Sequence, residues 1–234
     1  MNQDYKPGIL TIVTNYIFFF MAMNLFFFLS IIPSLAWLLI IESSLLNFIP
    51  ISLIGPSVTA LLCCMIKFKE TNFEKEDLPT AKDFMSFYKK NFMDTLKIWT
   101  PYVILMVVLY TNATYYDGSQ FTRILFTIVA LIGSIIFTLS MIYMLMINAK
   151  FKFGSKDLFK LSLFYILTDI KATLSIVSVC ILSFAVAVLL SDLLLLLVAS
   201  VIGYLLVKYT YSMLEHVKDR FIEDGAKNKE QEAE

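Results

Sequence analysis

Residues 43–66 read SSLLNFIPISLIGPSVTALLCCMI, and Lys67-Phe68-Lys69 follows at once. The run passes 24 residues without a charge. One crossing of a bilayer takes roughly 20 predominantly apolar residues at about 1.5 Å of rise each. Two lysines closing such a run mark a membrane–water boundary. The stretch is therefore read as a transmembrane helix whose last turn reaches water.

Five further uncharged windows lie at 8–41, 98–116, 124–149, 172–191 and 193–207. The last is short, but Lys208 can lay its stem along lipid and extend the span to Leu214. The first is too long for one upright span. We place its membrane helix at 10–32, expect Pro33 to break or kink it, and assign 34–50 to the outer interface. The alternative is one tilted, bent helix to residue 41. The expected fold is an all-α bundle of six spans, with a membrane domain over 1–222 and a disordered charged tail over 223–234. Composition agrees: 59% of the chain is hydrophobic and 16% charged, against about 25% charged in soluble domains.

Charge placement sets an orientation. Of 19 basic residues, 18 fall before the first window, between the second and third, between the fourth and fifth, or after the sixth. Only Arg123 falls on an opposite connection. The positive-inside rule then puts both termini and the lysine-rich loops in the cytoplasm of a multi-pass cell-membrane protein. The first apolar run far exceeds the roughly 7–15 residues of a signal-peptide core, so a cleaved leader is not expected.

The loop between the second and third windows carries a helix start. Thr80, with Asp83 three residues on, forms a capping-box-like pair. Beyond it Phe84, Phe87, Tyr88, Phe92, Met93 and Leu96 recur at steps of mostly three and four. Lys82, Ser86, Lys89, Lys90, Asn91 and Asp94 fill much of the other face. The pattern predicts a basic amphipathic helix over 81–97 that runs directly into the third span. It is expected in the inner headgroup layer, with Phe84, Tyr88 and Phe92 toward lipid and Lys82, Lys89 and Lys90 toward anionic headgroups. The alternative is an extension packed on other helices. Lys156-Asp157 and Asp169 with Lys171 repeat the pattern before the fifth window, so the hairpin is a candidate internal duplication.

The Gly55-Pro56 pair sits inside the second span. Pro56 has no N–H to give the Ser52 carbonyl, and Gly55 lets another backbone approach closely. Ser57 and Thr59 are placed to bond freed carbonyls or another helix. Two readings stay open: a packing kink, or a discontinuous helix lining a small polar site. Gly55, Pro56, Ser57, Thr59 and Asn24 are the candidates for that site or kink. Asn15, Asn24 and Asn148 are read as interhelical hydrogen-bonding groups.

Catalytic patterns are missing. The chain has no H-E-x-x-H, no G-x-x-x-x-G-K-[ST] and no G-x-S-x-G. His216 is the single histidine and is read as solvated. Cys63, Cys64 and Cys180 form no C-x-x-C and are read as buried apolar thiols. The span interiors hold no ionisable group, against an ion-coupled carrier. Glu42, Asp117 and Asp192 are read as solvated turn charges. No enzyme, cofactor, metal or nucleic-acid partner is expected. The bilayer, with anionic headgroups, is the expected partner.

Residues 55–61, GPSVTAL, resemble the G-P-x-x-x-A-L signature of YesL-like bacterial membrane proteins. Asp83-Phe84 and then 87–92, FYKKNF, resemble that family's segment before the third span, and Asn24-Leu25 is similar to its first-helix Asn-Leu. The stretch between Asn24 and Gly55 looks longer than the family pattern. The family's activity is unknown. The resemblance implies an association with carbohydrate uptake in Gram-positive bacteria. That points to an accessory or regulatory subunit beside a carbohydrate ABC transporter, with a small-molecule, sugar-type permease or substrate-capture subunit as the alternative.

Overall fold

The computed structural model describes residues 9–40, 47–71, 78–115, 119–189 and 192–223. Within them the chain is all-helical: α1 Ile9–Ile40, α2 Phe48–Glu70, α3 Ala81–Tyr115, α4 Gln120–Lys150, α5 Ser155–Thr168, α6 Ile170–Leu189 and α7 Asp192–Lys218. A short π-helical turn, Asp219–Glu223, closes the described chain. No strand occurs among the described residues. Five helices, α1 to α4 and α6, are long and apolar enough to cross a membrane. Lipid offers no partner to backbone N–H and C=O groups, so an apolar span must satisfy them within its own helix.

The most enclosed element is α2. Of its apolar window 72% is buried, against 11% to 28% for the other four. It packs on α1, α3, α4 and α7. An aromatic cluster fastens α1 and α7 to α2. Phe19 of α1 stacks on Phe68 of α2 with ring centroids 4.3 Å apart, and Tyr204 of α7 meets Phe68 edge-on at 5.7 Å. Gly203 of α7 lets Met65 and Leu61 of α2 come close. The opposite extreme is the first half of α4. Phe121, Ile124, Leu125, Ile128, Val129 and Ile132 are all exposed, an apolar belt suited to lipid rather than water.

Ion pairs gather where the lysines are. Lys67–Asp83 at 2.8 Å joins α2 to α3, and Lys150–Glu70 at 2.8 Å joins α4 to α2. Lys152–Asp94 at 2.6 Å ties the chain just past α4 to α3. The helix start expected at Thr80 is present. The Thr80 backbone N–H donates to Asp83 Oδ2 at 2.8 Å, and the helix begins at Ala81.

Three expectations change. Pro33 does not break α1, which stays helical to Ile40. A proline removes one i→i−4 bond, and here packing outweighs that loss: Ile31 and Ser34, on either side, are both buried. The single long helix is the reading that holds. Second, the apolar face of 81–97 does not all turn to lipid. The segment is the first half of α3, continuous into the apolar stretch as expected, and it packs along α2. Its Phe84 is only 2% exposed and lies against Phe26 of α1. Its polar Asn91 and Thr95 point inward, because partners wait for them there. Third, the two hairpins differ. Asp169 accepts the Ala172 N–H at 3.0 Å and starts α6 as a new helix after α5, whereas Asp94 is held by Lys152 within an unbroken α3.

Glu42, Lys75, Asp117 and the tail from residue 224 on lie outside the described residues, as does most of the loop between α2 and α3.

Candidate functional site

Gly55, Thr59, Cys63 and Lys67 fall four apart on α2 and so share one face. Asn91, Thr95 and Trp99 do the same on α3. The two helices run antiparallel, and the ladders meet rung by rung. Trp99 lies against Gly55, Thr95 donates its hydroxyl to Thr59 Oγ1 at 3.1 Å, and Asn91 Nδ2 donates to Cys63 Sγ at 3.4 Å. The end of α4 closes the third side. Asn148 Nδ2 donates to Thr95 Oγ1 at 3.5 Å, and Cys63 Sγ donates to the Ala149 carbonyl at 3.2 Å. Lys152 caps the seam, with its Nζ 2.7 Å from Asn91 Oδ1 and 2.6 Å from Asp94 Oδ2. Thr59 and Thr95 are fully buried, and Asn91 and Asn148 nearly so. Each interhelical bond of this kind contributes about 0.6 kcal/mol on average. Its chemistry is hydrogen bonding that fixes the register of three helices.

The Gly55-Pro56 pair lies at one end of this seam. A Cβ on Gly55 would stand 2.5 Å from Trp99 Cγ and 2.9 Å from Trp99 Cβ. Only glycine admits the indole so close, and the indole N–H then reaches the Ile51 carbonyl at 3.0 Å. The α2 helix is not broken at Pro56. Ser52 turns its hydroxyl back to the Phe48 carbonyl at 2.8 Å. Of the two hydroxyls expected to repair this stretch, Thr59 bonds Thr95, and Ser57 Oγ is buried with no partner among the described residues.

Asn24 is elsewhere. It is buried in the seam between α1 and α7, where its Oδ1 accepts the Ser200 N–H at 2.8 Å. Ser200 in turn donates its hydroxyl to the Phe20 carbonyl at 3.1 Å. The candidates are thus divided between two helix seams and do not converge on one pocket. Of the residues assigned to the membrane surface, Lys82, Lys89 and Lys90 are exposed. Tyr88 and Phe92 are half-buried and tilted on each other at 5.6 Å, while Phe84 belongs to the interior.

His216 is exposed, as expected, yet its Nδ1 sits 3.0 Å from the buried Tyr165 hydroxyl and links α7 to α5. Cys63 is more than an apolar thiol, since its sulfur both donates and accepts. Among the described residues no group of three or more His, Cys, Asp or Glu side chains could hold a metal ion.

Sequence reasoning missed Thr95, Trp99 and Lys152. The signal was available: polar residues at every fourth position of 59–67 matched polar residues at every fourth position of 91–99.

A family described as "Protein of unknown function, DUF624" matches residues 11–113. The match runs over most of α1, all of α2 and most of α3. It takes in Gly55, Pro56 and Trp99 and stops before Asn148 and Lys152. No curated protein and no solved structure matches the chain. The match and the apolar helices together fit an integral membrane protein of a type whose activity is uncharacterised.

Proposed function

We propose that this chain is a YesL-like, six-span protein of the cell membrane that works as a non-enzymatic accessory or regulatory component of carbohydrate uptake. In this reading α7 is the sixth span. Both termini face the cytoplasm, following the 18 of 19 basic residues on that side. The exposed Lys82, Lys89 and Lys90 meet anionic headgroups at the same surface. The partner is a carbohydrate ABC transporter, as the YesL-like resemblance implies.

The polar seam carries the proposal. In a permease, polar groups at membrane depth line a path and must be free to meet substrate. Here Thr59, Cys63, Asn91, Thr95 and Asn148 are bonded to one another between α2, α3 and α4. That supports a rigid scaffold presented to a partner. The test is purification of the full chain from native membranes in mild detergent. Transporter subunits co-eluting at constant ratio are expected, and their loss when the tag is moved to an unrelated six-span protein is the control. A chain that elutes alone from sugar-grown cells overturns the proposal.

One observation favours the permease or substrate-capture reading. Ser57 Oγ beside Pro56 is buried and has no partner among the described residues, as a hydroxyl awaiting a sugar would be. Thermal stabilisation of the isolated chain by a sugar, lost in Ser57→Ala, would decide for it.

A further inference from the structure

Between α3, α4 and α5 lies an open crevice of about 480 Å³. Its walls are Ile98, Leu105, Phe137, Met141, Met144 and Phe159. The polar atoms nearby are turned to each other and leave the wall apolar. Tyr102 pairs its hydroxyl with Thr138 at 3.0 Å, and Ser140 pairs with Ser162 at 2.6 Å. Pro101 and Phe159 are exposed at the opening. Lys97, Lys156 and Lys160 stand on the lining, all exposed, and none is in an ion pair among the described residues. Among the described residues no acidic side chain lines the crevice. Of the two nearest in sequence, Asp94 is held by Lys152, and Asp157 turns toward Gly154.

We infer that this crevice holds one anionic phospholipid, with an acyl chain between α3 and α4 and the phosphate among Lys97, Lys156 and Lys160. The volume falls in the range of single-ligand pockets, roughly 300–1,000 Å³, so it takes a chain and not a protein segment. An apolar slot between helices of a bundle that sits in lipid suits a hydrocarbon chain. Three exposed lysines on the lining, in no ion pair among the described residues, select a negative headgroup over a zwitterionic one, as basic pockets between transmembrane helices do elsewhere. The site is separate from the polar seam. It requires that the protein sit in a membrane but not that it serve carbohydrate uptake, so either idea can fail alone.

The test uses the full-length protein in non-ionic detergent, with native mass spectrometry to count bound lipids and thermal unfolding as a second readout. Phosphatidylglycerol, phosphatidylcholine with the same chains, and glycerol 3-phosphate are titrated separately. Phosphatidylglycerol is expected to bind one per protein and raise the unfolding temperature. Phosphatidylcholine should need on the order of tenfold more, and glycerol 3-phosphate should do neither. The K97Q/K156Q/K160Q variant should lose the preference, while K69Q/K171Q/K208Q, at exposed lysines outside the crevice, keeps it. If the first triple variant does not purify as a single species, Leu105→Trp replaces it and must lower occupancy by both lipids. Equal affinity for the two lipids in the wild type overturns the inference. So does equal loss in the two lysine triples, saturation by glycerol 3-phosphate alone, or a Leu105→Trp variant that binds as the wild type does.

Discussion

Trp99 fills the space that a side chain on Gly55 would need. Its Cγ is 2.5 Å, and its Cβ and Cδ1 2.9 Å, from where a Cβ at 55 would stand. The contact is with the root of the indole side chain as well as its ring, so a rotamer change cannot relieve it. The two residues are 44 positions apart in sequence, yet one is glycine because the other is tryptophan. With the Trp99 N–H on the Ile51 carbonyl, the pair sets how closely α2 and α3 approach.

Gly55→Ala should therefore push the two helices apart and destabilise the folded protein by about 1–3 kcal/mol, the usual cost of overpacking. The check is unfolding in detergent, monitored by Trp fluorescence. Adding Trp99→Leu to Gly55→Ala should recover part of the loss. If Gly55→Ala unfolds as the wild type does, the contact is not tight.

Thr59 and Thr95 can be tested as a pair. Thr59→Val and Thr95→Val each remove a hydroxyl and keep the shape. Their double-mutant cycle should show a coupling of about 0.6 kcal/mol, up to about 1.7, in the range measured within membranes. Additive effects would mean that the hydroxyls do not interact.

Lys152 and Asn91 should differ in weight. The Lys152–Asp94 pair is close to half exposed on both sides, so Lys152→Gln should change stability by about 0–1 kcal/mol at most. Asn91→Ala removes a buried amide and leaves Cys63 and Lys152 short of a partner. About 1–3 kcal/mol is expected. The comparison is made by chemical unfolding of the two variants side by side, and the reverse order would contradict the seam.

Alkylation should separate the cysteines. Cys63 and Cys64 are buried, while Cys180 on α6 is partly exposed. N-ethylmaleimide on the folded protein in detergent should add one label by intact mass, and three after denaturation. Rapid labelling of Cys63 in the folded protein would show that the end of α4 does not cover it.

Topology is open to the same chemistry. In a cysteine-free background, Lys75→Cys should label only from the cytoplasmic side and Asp117→Cys only from the outside. Labelling of both from one side would remove the six-span arrangement.

Much of the bundle is legible in uncharged runs. An apolar segment in lipid has one way to satisfy its backbone, so 124–149 and 172–191 had to be helices, and α4 and α6 are. Caps are local as well, which is why Thr80-Asp83 marked the start of α3 correctly. Which face of 81–97 packs inward was not legible, because its amphipathic pattern is ambiguous. A polar stripe of Asn91 and Thr95 suits water and suits a polar neighbour equally. Only the positions of Thr59, Cys63 and Asn148 decide between them.

By itself, then, the sequence determined the helices, their number of apolar runs and the clustering of charge at alternate connections. These depend on each residue's own transfer between water and lipid and on bonds within a turn or two. The tertiary structure decided which faces meet: that Gly55 receives Trp99, that Asn24 goes to Ser200 instead of the proline, and that Lys152 reaches back to Asn91. Hydropathy carries no record of these choices, since lipid and a neighbouring helix are equally apolar. Close packing and the pairing of a few buried polar atoms are what distinguish one arrangement of the helices from another.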